Sequence, residues 1–196
     1  MHGSDGYHIA LHIYFANYNY INDSEICLHQ GVREMPIQEV QLGQKGQQVD
    51  DLIYMLRNGN FNGMLEAAKE LGGMGDKAVG SLMPLLRDED PRVRWRAALA
   101  FGRIGTPAAT PLIRALEEED HYVKPPAIWV LEQIGDPRAV EPLMRALSSK
   151  HPWTRWMAIS ALIKIGDPKG VAAAQEAMKG EDEVSRGIVE ELIARS

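Results

Sequence analysis

The chain has 196 residues, 45% of them hydrophobic and 24% charged, which is ordinary globular content and enough to bury a real core. Its formal net charge of −6 argues against general nucleic-acid binding, and a lone cysteine, Cys27, excludes a disulfide framework or a thiolate metal cage. No apolar run approaches the roughly eighteen residues that a membrane helix needs.

Residues 1–45 differ in composition from the rest, holding four of the six Tyr, four of the six His and Cys27. Ile9, Leu11, Ile13 and Phe15 alternate with His8, Ala10, His12 and Tyr14, which is the period of a strand. Two readings stand. Either a strand or hairpin caps the first helix pair of the remaining chain, or the natural chain begins at Met35 and residues 1–34 come from a misassigned start or an appended extension. His8 and His12 have the spacing of a helical metal pair, yet a strand holds such a pair too far apart for one ion, and no carboxylate motif accompanies them. They are expected to form a polar strand face. The N-terminus lacks the basic start and apolar stretch of a signal peptide, so the expected location is cytoplasmic.

From residue 46 onward the chain repeats. Met74-Gly75, Ile104-Gly105, Ile134-Gly135 and Ile165-Gly166 recur at intervals of about thirty residues. An independent landmark, the apolar run at Leu52–Leu56, Leu82–Leu86, Leu112–Leu116, Leu143–Leu147 and, more weakly, Ala174–Met178, keeps the same period. Five units result, at about 46–74, 75–104, 105–134, 135–165 and 166–196, and each reads as two helices. Thr106-Pro107, Asp136-Pro137 and Asp167-Pro168 place a capping side chain before a proline whose missing N–H costs nothing at a helix start. Asp90-Pro91 and His151-Pro152 open the second helix of a unit in the same way, His151 being the poorer cap. The Gly of each Met-Gly or Ile-Gly pair supplies the positive-φ residue that closes the second helix. Helices of about ten to fourteen residues are too short to stand alone, so stability must come from stacking.

The second helices carry a periodic buried stripe: Val93, Ala97, Ala98, Phe101 and Ile104 in unit two, Val123, Ala127, Ile128, Leu131 and Ile134 in unit three, Thr154, Ala158, Ile159, Leu162 and Ile165 in unit four. Outside it fall Trp95, Arg96, Leu99 and Arg103, then Pro125, Pro126, Trp129 and Gln133, then Trp156, Met157, Ser160 and Lys164. Pro125-Pro126 lies beyond the first turn in the repeat register, so that helix must start late or kink. The acidic residues Glu117, Glu118, Glu119, Asp120 and Glu141 lie in the first helices and inter-helix loops.

The segments "DPRVRWRAALAFGRIG" and "IGDPRAVEPLMRALSSKHPWTRWMAISALIKIGDP" resemble HEAT repeats of the short phycobilisome-lyase type in period, turn and Val-Arg-x-x-Ala-Ala signature. That resemblance covers about three quarters of the chain and implies an all-α fold, a right-handed α-solenoid in which the first helix of each pair is convex and the second lines a concave groove. It also implies an acid and a base six residues apart, laddering between neighbours: Asp88 with Arg94 and Glu118 with Lys124, with Ser149 before Arg155 breaking the series. Some HEAT-repeat enzymes hold iron on His-Glu pairs, and no His-Glu pair occurs in this chain.

The expected function is that of a non-catalytic scaffold with no cofactor, no metal and no catalytic residue. Its basic, aromatic groove of Trp95, Arg96, Leu99, Arg103, Trp129, Gln133, Trp156, Met157 and Lys164, extended by Lys69, would hold an acidic or extended segment of another protein. The alternatives are a lyase-like or accessory factor related to the bilin lyases, which would need a bound tetrapyrrole, and a nucleic-acid binder that stacks bases on its tryptophans.

Overall fold

The structure is a computed structural model that describes residues 45–118 and 120–194. The expectations for the N-terminal segment, including the strand and the His8 and His12 pair, lie outside the described residues.

Ten α-helices succeed one another among the described residues: α1 Lys45–Asn58, α2 Phe61–Met74, α3 Asp76–Leu82, α4 Pro91–Ile104, α5 Ala109–Ala115, α6 Lys124–Ile134, α7 Val140–Ala146, α8 Pro152–Ile165, α9 Pro168–Lys179 and α10 Glu183–Ala194. Helix α3 tightens at its end into a 3₁₀ segment, Met83–Arg87, and α5 and α7 are each preceded by a 3₁₀ turn, Thr106–Ala108 and Pro137–Ala139. No strand occurs among the described residues. The helices stack as an α-solenoid in which α1 with α2, α3 with α4, α5 with α6 and α7 with α8 pack as pairs, α2 packs on α4, α4 on α6 and α6 on α8, and α9 packs on α8.

Local chemistry explains the punctuation. The Asp90 carboxylate accepts from the Arg92 N–H at 2.8 Å, that of Asp136 from the Arg138 N–H at 2.9 Å, and that of Asp167 from the N–H groups of Lys169 and Gly170 at 3.0 and 3.1 Å. Each satisfies donors that a helix start leaves orphaned. Thr106 and His151 make no such side-chain bond, and Thr106 lies inside the 3₁₀ turn that begins its unit. Gly75, Gly105, Gly135 and Gly166 close their helices at φ of 62°, 73°, 68° and 74°, a region that strains any side chain with a Cβ. Helix α6 opens at Lys124, although thirty residues after Pro91 the register would open it at 121. Pro125 and Pro126 therefore sit in its first turn, where neither removes a needed hydrogen bond.

The core follows the predicted stripe. Phe101, Ile128, Leu131, Ile159 and Leu162 of the second helices are fully buried with Leu56, Leu71, Leu112 and Leu143. The buried surface is nonetheless wider than one stripe. Trp95, Leu99, Trp129 and Met157, placed outside it by periodicity, are buried, at 6%, 5%, 5% and 5% exposure. A second helix in the middle of the stack touches its own first helix and a second helix on either side, so more than one face is covered. The approach between α2 and α4 is close: a Cβ at Gly72 would lie 2.5 Å from Arg103 Cβ and 3.4 Å from its backbone carbonyl carbon.

Candidate functional site

The face lined by the second helices contains two kinds of residue, those tied to neighbouring repeats and those still presented outward. Trp95 on α4 and Trp129 on α6 meet edge to face, with centroids 6.1 Å apart and planes at 70°. They form an aromatic floor between adjacent repeats. Arg96 turns sideways: its guanidinium donates to the carbonyls of Leu56, Arg57 and Gly59 at 3.1, 2.8 and 3.1 Å, satisfying the C-terminal end of α1 in the preceding repeat. Trp156 is half-buried and donates its Nε1–H to Glu181 at 3.1 Å, while Arg155 Nε reaches the same carboxylate at 2.7 Å. Those hydrogen bonds, Arg155's foremost, hold the Glu181 carboxyl below the ordinary range.

Arg103, Gln133 and Lys164 occupy one repeat position, two residues before the positive-φ Gly of their units. Arg103 and Gln133 are exposed. Lys164 is half-buried and forms an ion pair with Glu132 of the preceding repeat, whose side chain is only 7% exposed. Burial pushes the Glu132 carboxyl up, against the pull of the Lys164 charge. Lys69 pairs with Glu66 on its own helix. On the first-helix side, Glu117 pairs with Arg145, Glu118 with Arg87 and Glu141 with Lys169.

The expected acid–base ladder takes a different form. Arg94 donates to the backbone carbonyls of Asp88 and Glu89 at 2.7 and 3.1 Å, and the Asp88 carboxylate pairs instead with Arg57 at 2.8 Å. Arg155 donates to the carbonyl of Ser149 at 3.2 Å, so serine does not break the series: the acceptor is backbone. On the same inter-helix loops the His121 ring stacks on His151 at 4.0 Å and 8°, and the Arg94 guanidinium lies 5.0 Å from the Tyr122 centroid.

Glu132 and Glu181 escaped sequence reasoning. For Glu132 a signal existed: its counterparts are Gly72, Gly102 and Ile163, a position turned toward the neighbouring second helix, where a carboxylate must find a partner. Glu181 stands in an irregular loop that carries no periodicity to read. Among the described residues no group of three His, Cys, Asp or Glu could hold a metal, and no helix is long and apolar enough to cross a membrane.

The family description that fits the chain is HEAT repeats, matched over residues 49–129 and again over 109–194. The chain belongs to the HEAT repeat family. A similar fold occurs in the complex of CpcE and CpcF of phycocyanin lyase from Nostoc sp. PCC7120, at TM-score 0.56 and 18% identity over 75% of this chain and 98% of that one. Human deoxyhypusine hydroxylase is similar at TM-score 0.47 and 27% identity, over 60% of this chain and 44% of that one. A designed armadillo repeat protein in complex with the peptide (KR)4 is similar at TM-score 0.44 and 16% identity, over 76% and 85%. No curated protein matches the chain.

Proposed function

We propose that this HEAT-repeat chain is a non-catalytic protein-binding scaffold whose second-helix face holds an acidic, extended segment of another protein. The observation that carries this reading is the row of Arg103, Gln133 and Lys164, one hydrogen-bond donor in each of the three middle repeats at a single repeat position. Arg103 makes no ion pair among the described residues, whereas Glu117, Glu118 and Glu141 on the first-helix side are each matched by a base. Arg103 thus offers an unmatched positive charge on a second helix, and a complementary partner gains both steering and a charge-assisted bond there. On the same second helices Trp95, Leu99, Trp129 and Met157 are buried and Trp156 is half-buried.

The test is affinity capture with the intact chain and with Arg103→Glu, read by mass spectrometry beside a thermal melt of each. Loss of specific partners from the variant at unchanged melting temperature is expected. Identical partner sets from both proteins would overturn the reading.

A further inference from the structure

The row on the second helices has a spacing, and spacing selects a backbone conformation. Neighbouring second helices pack against one another, and packed helices usually lie about 8–10 Å apart, which is the interval expected between Arg103, Gln133 and Lys164 in the three middle repeats. A β-strand returns a given face every second residue, about 6.6–6.8 Å, or every fourth, about 13 Å. Neither matches the helix spacing. A polyproline II segment turns once in three residues and rises about 3.1 Å per residue, so the same face returns about every 9.3 Å.

On the scaffold reading above, we infer that the bound segment is an acidic polyproline II strand whose every third residue meets the row: a carboxylate at Arg103, an uncharged polar group at Gln133 and a second carboxylate at Lys164. The chemistry at each position differs. The Arg103 guanidinium takes a carboxylate bidentately. The Gln133 amide both donates and accepts, which suits a neutral polar group. Lys164 has three N–H donors, and its ion pair with Glu132 leaves others for a ligand. Two turns before Lys164 on α8, the half-buried Trp156 adds an aromatic surface of the kind on which proline-rich segments dock. In the first repeat the matching position is Gly73, which is exposed, and a Cβ placed there meets no described residue within 4 Å. The row stops at Arg103, and the space beyond it on α2 is open among the described residues.

That open position supplies the decisive experiment. Fluorescence anisotropy of the full chain is measured with a labelled peptide of Glu-Pro-Pro triplets and with a Glu-Thr alternating peptide of equal length. The triplet peptide is expected to bind at least about tenfold tighter, and Arg103→Ala to cost about tenfold. Gly73→Arg, which adds a fourth donor, is expected to tighten binding only of a peptide one triplet longer. Equal or better binding of the alternating peptide would overturn the polyproline II geometry while leaving the scaffold reading intact. If neither peptide binds, the inference fails, and the capture experiment with Arg103→Glu decides separately whether the scaffold reading fails with it. Circular dichroism melts of each variant distinguish lost binding from lost folding.

Discussion

Glu181 is one carboxylate serving two side chains of the preceding repeat, Arg155 and Trp156. With its side chain 10% exposed, removal of the charge leaves two donors under-satisfied, and Glu181→Gln is expected to cost about 1–3 kcal/mol in urea melts. The direction of the pKa shift sets the pH dependence. The folded carboxyl lies below its ordinary 4.5, so its contribution is present above that pH and is lost as the pH falls through the lower folded value. The difference between native and Gln variant should therefore shrink on acidification. Glu132 has the opposite sign, because burial raises it above 4.5: its contribution is full below that pH and declines as the pH rises through the raised value. At the aromatic floor, Trp95→Ala and Trp129→Ala should each cost about 3–5 kcal/mol. A double-mutant cycle should give a coupling of about 0.5–1.5 kcal/mol for the edge-to-face pair. Additive losses would show that the two rings act independently. Trp156 shares the repeat position of Trp95 but is only half-buried, and its replacement should cost less.

Between elements, the closest constraint is Gly72 of α2 against Arg103 of α4. Alanine is the better helix former by about 1 kcal/mol, so a free-standing α2 would gain from Gly72→Ala. In the stack the new Cβ meets Arg103 Cβ at 2.5 Å, and part of the obstruction is backbone that cannot rotate away. The expected net result is a loss of about 1–3 kcal/mol, the usual cost of overpacking. A stability gain on denaturation would show that the two helices separate freely. The element scale is also where the sequence is most and least legible. Caps, positive-φ glycines and the stripe through Phe101, Ile128 and Ile159 are local codes, written in neighbouring residues or in one helix's own period. The burial of Trp95, Leu99, Trp129 and Met157 is not legible, because a period read from one helix says nothing of the helices on either side. The ladder departs from expectation for a related reason. Residue types reveal side-chain partners, but Arg94 and Arg155 bond to carbonyls, which every residue carries.

Across the whole array of described helices, polar contacts join each repeat to the next. Arg57 with Asp88 and Arg96 with the end of α1 join the first to the second, and Arg87 with Glu118 the second to the third. Arg145 with Glu117 and Lys164 with Glu132 join the third to the fourth, and Lys169 with Glu141 and Arg155 with Glu181 the fourth to the fifth. None of these ties spans more than one boundary. In mechanical terms the stack is a spring rather than a rod. A load on its ends would be met by boundaries acting in series, each yielding by a small angle against its polar ties and its buried apolar contacts. A change in curvature of the array would thus be spread over many small rotations, with no single hinge carrying it.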